Sequence, residues 1–472
     1  MNEFDTKVQY LKYMALKEVA KAAFDDNLEN VFYEIPKKVL PGPEATMRCC
    51  VYKERAIFQE RLNLAKGGGK DDEVIQVIDI ACDDCPASGY QVTASCRGCI
   101  AHRCSQACKV NAIKFDNNQK AYIDKSLCVN CGACSRACQY SAIINSVRPC
   151  ENSCKLKAIS SGPNKSAQID RSKCISCGAC VYQCPFGAIT DKSYIVDVIN
   201  MIKNSNFNEK YKVYAIVAPS ISSQFKVKLG KLITGIKKLG FYSVIEVALG
   251  ADMVANKEAK ELYEKKFLTS SCCPAFVTYI QKQFPMLEKD ISSNLSPMAE
   301  LGKYIKSMDP TSKVVFIGPC TAKKSEFKKD KVKNYVDSVI TFEELKALID
   351  AKEIDLNNEE ETILDNASYF GRIFARSGGL KDAVTQALKE NNITDFEFNP
   401  VVCNGIEECK MALLKASKNV LPNNFIEGMA CVGGCIGGPC CLTHGPKDAN
   451  EVDKYGALAL EKTIKDAIRI TE

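Results

Sequence analysis

The 472 residues are 46% hydrophobic and 25% charged, which suits two or three packed domains and excludes a disordered or fibrous chain. Sixty-three lysines and arginines against 57 acidic residues leave +6, too weak a bias for nucleic acid and at most a mild attraction to an acidic protein. No apolar run approaches a membrane span, and the first residues mix charges with no apolar signal core, so a cytoplasmic protein with no membrane partner is expected.

Residues 1–80 read as a helical N-terminal segment. In YLKYMALKEVAKAAF, Leu11, Met14, Leu16, Val19 and Ala20 fall at roughly helical spacing, and VYKERAIFQERLNLAKGGGK ends in a glycine stop. These helices are expected to pack rather than catalyse. Between them, Cys49 and Cys50 in MRCCVYKERA are vicinal and cannot easily ligate one metal cluster together.

Twenty-seven cysteines in a reducing compartment point away from disulfides. Eighteen precede residue 185 and nine follow 271, so two cysteine-using regions flank a conventional stretch. In residues 81–190, CVNCGACSRACQYSAI (128–143) and CISCGACVYQCPFGAI (174–189) share C-x2-C-x2-C-x3-C spacing. Three such thiolates wrap one [4Fe-4S] cube while the fourth reaches a neighbouring cube. CRGCIAHRCSQACKVNAI (96–113) and CENSCKLKAI (150–159) look like degenerate copies, giving an α+β, multi-cluster ferredoxin-like domain.

The interchange rule suggests four ligand sets. Cys128, Cys131 and Cys134 would take Cys108; Cys96, Cys99 and Cys104 would take Cys138; Cys174, Cys177 and Cys180 would take Cys154. Cys184, Cys150, Cys82 and Cys85 are left for a fourth. The alternative is two cubes, with the other cysteines structural or zinc-binding. His102 in AHRC is a conceivable ligand, although a lone histidine in a polar loop is usually just exposed.

From 191 to 472 strands alternate with helices. YKVYAIVAPS predicts a strand ending at Pro219 and Ser220, and a helix follows with Val227, Leu229, Leu232, Ile233, Ile236 and Leu239 at helical spacing. FYSVIEVAL predicts a second strand, residues 252–265 a helix, and KVVFIGPC a buried strand running into Cys320. Cysteines thus stand just past strand ends, where open α/β sheets place ligands. Three loops can converge: 272–273, 320 and 431–435.

TSSCCPAF, GPCTAKKSE and EGMACVGGCIGG resemble, in order, the three signatures of [FeFe]-hydrogenases. With the cysteine-rich front and MRCCVYKERA, the chain is similar to the monomeric group B branch. The resemblance implies an α/β H-cluster domain, two-lobed with mixed sheets flanked by helices. It implies a cube on Cys273, Cys320, Cys431 and Cys435, with Cys435 bridging to a diiron subcluster carrying CO, cyanide and azadithiolate. Lys323, Ser220 and Met429 match residues touching the diiron ligands, and Glu326 matches a brace for the lysine loop. Cys272, Glu258, Ser292 and Glu261 match the family's proton relay, in that order.

The implied reaction is 2H⁺ + 2e⁻ ⇌ H2, with a ferredoxin-type carrier and dedicated maturation enzymes as partners. Two to four additional cubes would wire the site to the carrier. Alternatives are a slow H2 or redox sensor with the same cluster, and an Fe–S assembly protein lacking the diiron unit. Departures from the prototype are Gly318 for a methionine, Phe276 for a tryptophan, Met298 for a glutamine and GGPCCLTH after the third signature. Cys403, Cys409, Cys440 and Cys441 have no role in this reading, and Lys324 reads as a solvated surface lysine.

Overall fold

A computed structural model describes residues 4–83, 85, 86, 88–162 and 164–471. The Lys7–Phe24 helix is capped by Thr6, whose side chain accepts from the Gln9 amide. Its apolar face, with Leu16 and Val19 at 2% and 0% exposure, joins the same core as Phe342, Leu345 and Leu348 of the Phe342–Ala351 helix. The Val51–Ala65 helix divides its apolar residues: Phe58 and Leu62 enter that core, while Ile57 and Leu64 enter a second one around the ferredoxin-like region.

That region consists of two antiparallel modules of one design. Strands β1 (Ile75–Val77) and β8 (Ile189–Asp191) pair, as do β2 (Gly89–Val92) and β5 (Ile143–Ser146). Inside each pair lies a hairpin: β3 (Ile113–Phe115) with β4 (Ala121–Ile123), and β6 (Ile159–Ser161) with β7 (Ala167–Ile169). A short helix follows each cysteine loop. In the two C-x2-C-x2-C-x3-C loops its N-cap is a glycine, Gly132 at φ +77° or Gly178 at φ +76°, which holds the left-handed turn that brings the third thiol round.

The C-terminal region is built on two sheets. One orders β10 (Ser243–Glu246), β9 (Val213–Val217), β12 (Lys313–Ile317) and β13 (Ser338–Ile340); the other orders β11 (Leu268–Thr269), β15 (Phe425–Met429) and β14 (Pro400–Asn404). All pairs in both are parallel, not mixed as expected, since each strand returns through a helix. The expected strand FYSVIEVAL stops at Glu246, and the helix runs Val247–Lys265. Val247, Leu249 and Ala251 are buried on that helix, so their apolar run reflects a helix covered on several sides. The Leu229–Lys238 helix buries Leu232, Ile233 and Ile236 as its spacing predicts.

Candidate functional site

Parallel strands aim their carboxyl ends the same way, and the signature loops leave from those ends. β9 runs into Pro219 and Ser220, β11 into Cys272 and Cys273, β12 into Cys320, and β15 carries Met429 and leads to Cys431. The loops at these strand ends enclose a shared cavity. Cys272, Cys273, Cys320, Lys323, Met429, Cys431 and Cys435 all line it, with apolar walls from Met298, Phe316 and Phe374. Ser220 sits just outside this lining.

Burial holds the Cys320 thiol up at about 12 and Cys435 at about 11, and lifts Cys431 well above its ordinary value; neighbouring thiols add to the rise for Cys320 and Cys431, while Lys323 works against it for Cys320. Four clustered thiols lining one cavity have the chemistry of an iron–sulfur donor set, and a bound cation would ionise the three that resist ionisation alone. Cys435 has open surface, and that surface faces the cavity.

Lys323 is held by its own helix turn: its Nζ lies 2.7 Å from Glu326 Oε2 and 3.3 Å from the Cys272 carbonyl. Burial opposes its charge, but Glu326, with Cys320 and Cys272, outweighs burial and keeps the ammonium protonated. The Ser220 hydroxyl is fully buried with no hydrogen-bond partner among the described residues, an orphaned donor that a bound acceptor would satisfy.

Cys272 is buried and its thiol is pushed well above its ordinary value, first by burial and then by Glu258. Glu258 is fully buried and its carboxyl is raised to about 7 by burial. Its Oε1 accepts from the Ser271 amide and hydroxyl, both at 3.3 Å, whereas buried Oε2 has no partner among the described residues. The Ser292 hydroxyl donates to Glu261 Oε2 at 3.1 Å. Glu261 also pairs with Lys265 at 2.7 Å; burial raises its carboxyl, but Lys265 and the Ser293 amide win and hold it low. The series therefore grades from a high-affinity thiol to an ionised carboxylate near the surface.

Phe316 explains the glycine at 318. A Cβ there would meet Phe316 Cε1 and Cζ at 2.6 Å, so the ring occupies space beside Gly318 and supplies a cavity wall. Phe276 likewise packs over Gly428, where a Cβ would meet its ring at 2.2 Å. In the GGPCC run Cys440 and Cys441 are fully buried: the Cys440 amide donates to the Pro319 carbonyl, and Cys441 Sγ lies 3.3 Å from the Ile436 carbonyl. Both cysteines brace backbone next to Cys320 and Cys435.

In the front region Cys104 stands near Cys99 and Cys138, Cys134 near Cys128 and Cys108, and Cys150 near Cys184, Cys82 and Cys85. Cys174, Cys177 and Cys180 have Cys154 as neighbour, and Cys180 also lies near Cys150. Backbone amides of Ala112, Ala121, Ala158, Ala167 and Ala188 point at Cys108, Cys96, Cys154, Cys82 and Cys184 at 3.2–3.4 Å. Cys154, Cys174, Cys177 and Cys180 line a larger hollow that also reaches Cys431. Gly178 seals this junction: a Cβ would lie 2.5 Å from Pro439 and 2.6 Å from Thr321 Oγ1, and Thr321 donates to the Ser176 carbonyl at 2.7 Å.

Two side chains depart from their expected surroundings. Lys324 is 0% exposed, not solvated, because Asp191 and Glu344 each hold its ammonium at 2.8 Å. His102 is not simply exposed; its ring stacks on Phe115 at 3.8 Å. Sequence reasoning also passed over Lys12, which pairs with Asp191 and Glu343 beside Cys440, and Glu427, whose buried carboxyl accepts from the Gly378 and Lys381 amides. Neither has a local sequence signal.

Parallel sheets with thiol loops at their carboxyl ends, joined to cysteine-rich antiparallel modules, define an iron–sulfur protein of the α/β type. Residues 211–439 match the family model described as "Iron only hydrogenase large subunit, C-terminal domain", and residues 121–144 and 167–190 match "4Fe-4S binding domain". Residues 211–439 are thus homologous to the C-terminal domain of the [FeFe]-hydrogenases. Iron hydrogenase 1 of Clostridium pasteurianum is 30% identical over 321 residues, 56% of this chain and 55% of that one. This chain therefore spans about half the length of that relative. The Cytosolic Fe-S cluster assembly factor NAR1 of Kluyveromyces lactis is 35% identical over 91 residues, 19% of each chain. A [FeFe]-hydrogenase HydA1 variant from Chlamydomonas reinhardtii superimposes with a TM-score of 0.49 at 19% identity, covering 59% of this chain and 93% of that one.

Proposed function

We propose that the chain is a [FeFe]-hydrogenase of the group B type, catalysing reversible H2 formation and oxidation in the cytoplasm. The observation that carries this is one cavity lined by Cys273, Cys320, Cys431 and Cys435 together with Lys323 and Cys272. The four thiolates would hold the cube of an H-cluster, with Cys435 bridging to a diiron subcluster bearing CO, cyanide and azadithiolate. When bound, that group supplies the site where H2 is made or split. Lys323, fixed by Glu326, presents a positive donor to the cavity, and the orphaned Ser220 hydroxyl offers another. Met429 closes an apolar wall and limits water.

Cys272 Sγ receives or gives a proton at the cavity wall. Glu258, its carboxyl raised to about 7, passes the proton between the thiol and Ser292, which hands it on to Glu261. Electrons enter through the front cubes on the four ligand sets named above. Residues 89–146 carry seven lysines and arginines against two aspartates, so five of the chain's six net positive charges lie in the module of β2 and β5. Ile100, Val129 and Tyr140 are exposed around its cysteine loops. A basic, partly apolar face suits an acidic one-electron carrier of the ferredoxin type.

No helix among the described residues is long and apolar enough to cross a membrane. The assembly-factor reading predicts cubes without a diiron site, and the cavity facing Lys323 and Cys272 speaks against it. The test is H2-dependent reduction of methyl viologen by protein expressed with [FeFe]-hydrogenase maturation enzymes. Turnover supports the proposal; none, at full iron content, contradicts it.

A further inference from the structure

The vicinal cysteines of the N-terminal segment stand apart from the site above. Both Cys49 and Cys50 are exposed, with their sulfurs 4.0 Å apart. The loop that presents them is built, not slack. Glu54, 4% exposed, turns its Oε1 back to accept the amides of Thr46, Met47 and Arg48, with those of Thr46 and Arg48 at 2.8 Å. Arg48 is latched in turn to the Ala81 carbonyl at 3.0 Å and stacked over Phe186, and Lys53 pairs with Asp83. Ala81 and Asp83 flank Cys82, so the two thiols are clamped to the loop of the fourth ligand set.

We propose that Cys49 and Cys50 form a redox-active dithiol that reduces disulfide substrates with electrons from the adjacent iron–sulfur centre. This rests on the reading of Cys82, Cys85, Cys150 and Cys184 as cube ligands. Cys50 is the N-cap of the 15-residue Val51–Ala65 helix. The amide of Lys53 chiefly, helped by Cys49, the Tyr52 amide and the Lys53 charge, outweighs burial and holds its thiol below the ordinary value, which makes it the attacking sulfur.

The Cys50 thiolate attacks one sulfur of a substrate disulfide; that bond breaks, one substrate thiolate leaves, and a mixed disulfide forms. Cys49 then attacks the Cys50 sulfur, expelling the second substrate thiolate and closing a Cys49–Cys50 disulfide. The substrate gains two electrons and two protons. Adjacent Cα atoms are about 3.8 Å apart, below the roughly 4.4–6.8 Å that disulfides prefer, so the closed pair is strained and readily reduced. Two electrons delivered singly by the cube, with two protons from water, reopen it. With H2 as the source the sum is H2 + RSSR → 2 RSH.

The probe is 2,2′-dithiodipyridine added anaerobically to the cluster-loaded chain, followed by peptide mass analysis. The wild type should release two thiopyridone equivalents in a fast phase and yield a peptide with Cys49 and Cys50 joined. Cys49→Ser should release one and keep a mixed disulfide on Cys50, and Cys50→Ser should slow the phase at least about tenfold. An unchanged fast phase in Cys50→Ser, or a wild-type peptide that never closes, overturns the proposal. In the closed protein, reopening by H2 supports both readings. Reopening by dithionite alone, in protein that cannot reduce viologen with H2, supports the dithiol and sinks the hydrogenase. Viologen reduction by H2 with the pair still closed overturns the dithiol proposal alone.

Discussion

Lys12 and Cys440 are separated by 428 residues in sequence, yet the Lys12 ammonium lies 3.9 Å from the Cys440 sulfur. The same ammonium pairs with Asp191 at the end of β8 and with Glu343, so the first helix, the ferredoxin-like module of β1 and β8 and the run after the third signature meet at one cation. It also fills the space among Asp191, Glu343 and Cys440, whose ligand atoms lie within 4.8 Å of one another. Burial opposes its charge, but Asp191, Cys440 and Glu343 together raise its affinity for the proton well above the ordinary value.

Replacing Lys12 by Met leaves Asp191 and Glu343 short of a counter-charge. The expected cost is about 3–5 kcal/mol of stability, measured by denaturant unfolding. Lys324 still partners Asp191, so that carboxylate keeps one cation. A change below about 1 kcal/mol would mean that Lys324 suffices.

Cys272→Ala removes the first proposed proton carrier while leaving the four proposed ligands in place. H2 turnover should fall by about 100-fold or more, with iron content unchanged. Unchanged turnover would mean that protons leave the cavity elsewhere.

Glu258 supplies a pH test. Its carboxyl is raised by burial from 4.5 to about 7, so the folded state binds this proton more tightly than the unfolded chain. Stability from this group is therefore fully present below about pH 4.5 and is lost as pH rises through about 7, by a penalty on the order of 3 kcal/mol. Glu258→Gln should match the wild type in acid and exceed its melting temperature above neutrality. The reverse trend would contradict the buried, proton-holding assignment.

Gly318→Met restores the prototype residue but drives a Cβ into the Phe316 ring. The single change should cost about 1–3 kcal/mol. Coupling it to Phe316→Val should recover much of that loss, a non-additivity visible in a double-mutant cycle. Additive losses would show that the ring and Gly318 do not share the space.

Contiguous features were legible in the sequence. The C-x2-C-x2-C-x3-C loops, the thiols past strand ends and the apolar runs of β9 and β12 each lie within a few residues, where spacing alone carries the chemistry. What depends on distant partners was not legible. Lys324 has the local look of a surface lysine, and only Asp191 and Glu344 make it a core residue. The run Val247–Leu249 read as strand because a helix buried on several faces has no polar stripe to show its period. Phe316 taking up the space beside Gly318 is likewise a matter of ring orientation, invisible to spacing.

The central claim is that this cavity holds a diiron unit, and infrared spectroscopy of the matured protein tests it most directly. CO and cyanide stretching bands, retained in Cys272→Ala and lost in Cys435→Ala, are the predicted result. Absence of those bands from wild-type protein that carries its full complement of iron would contradict the account.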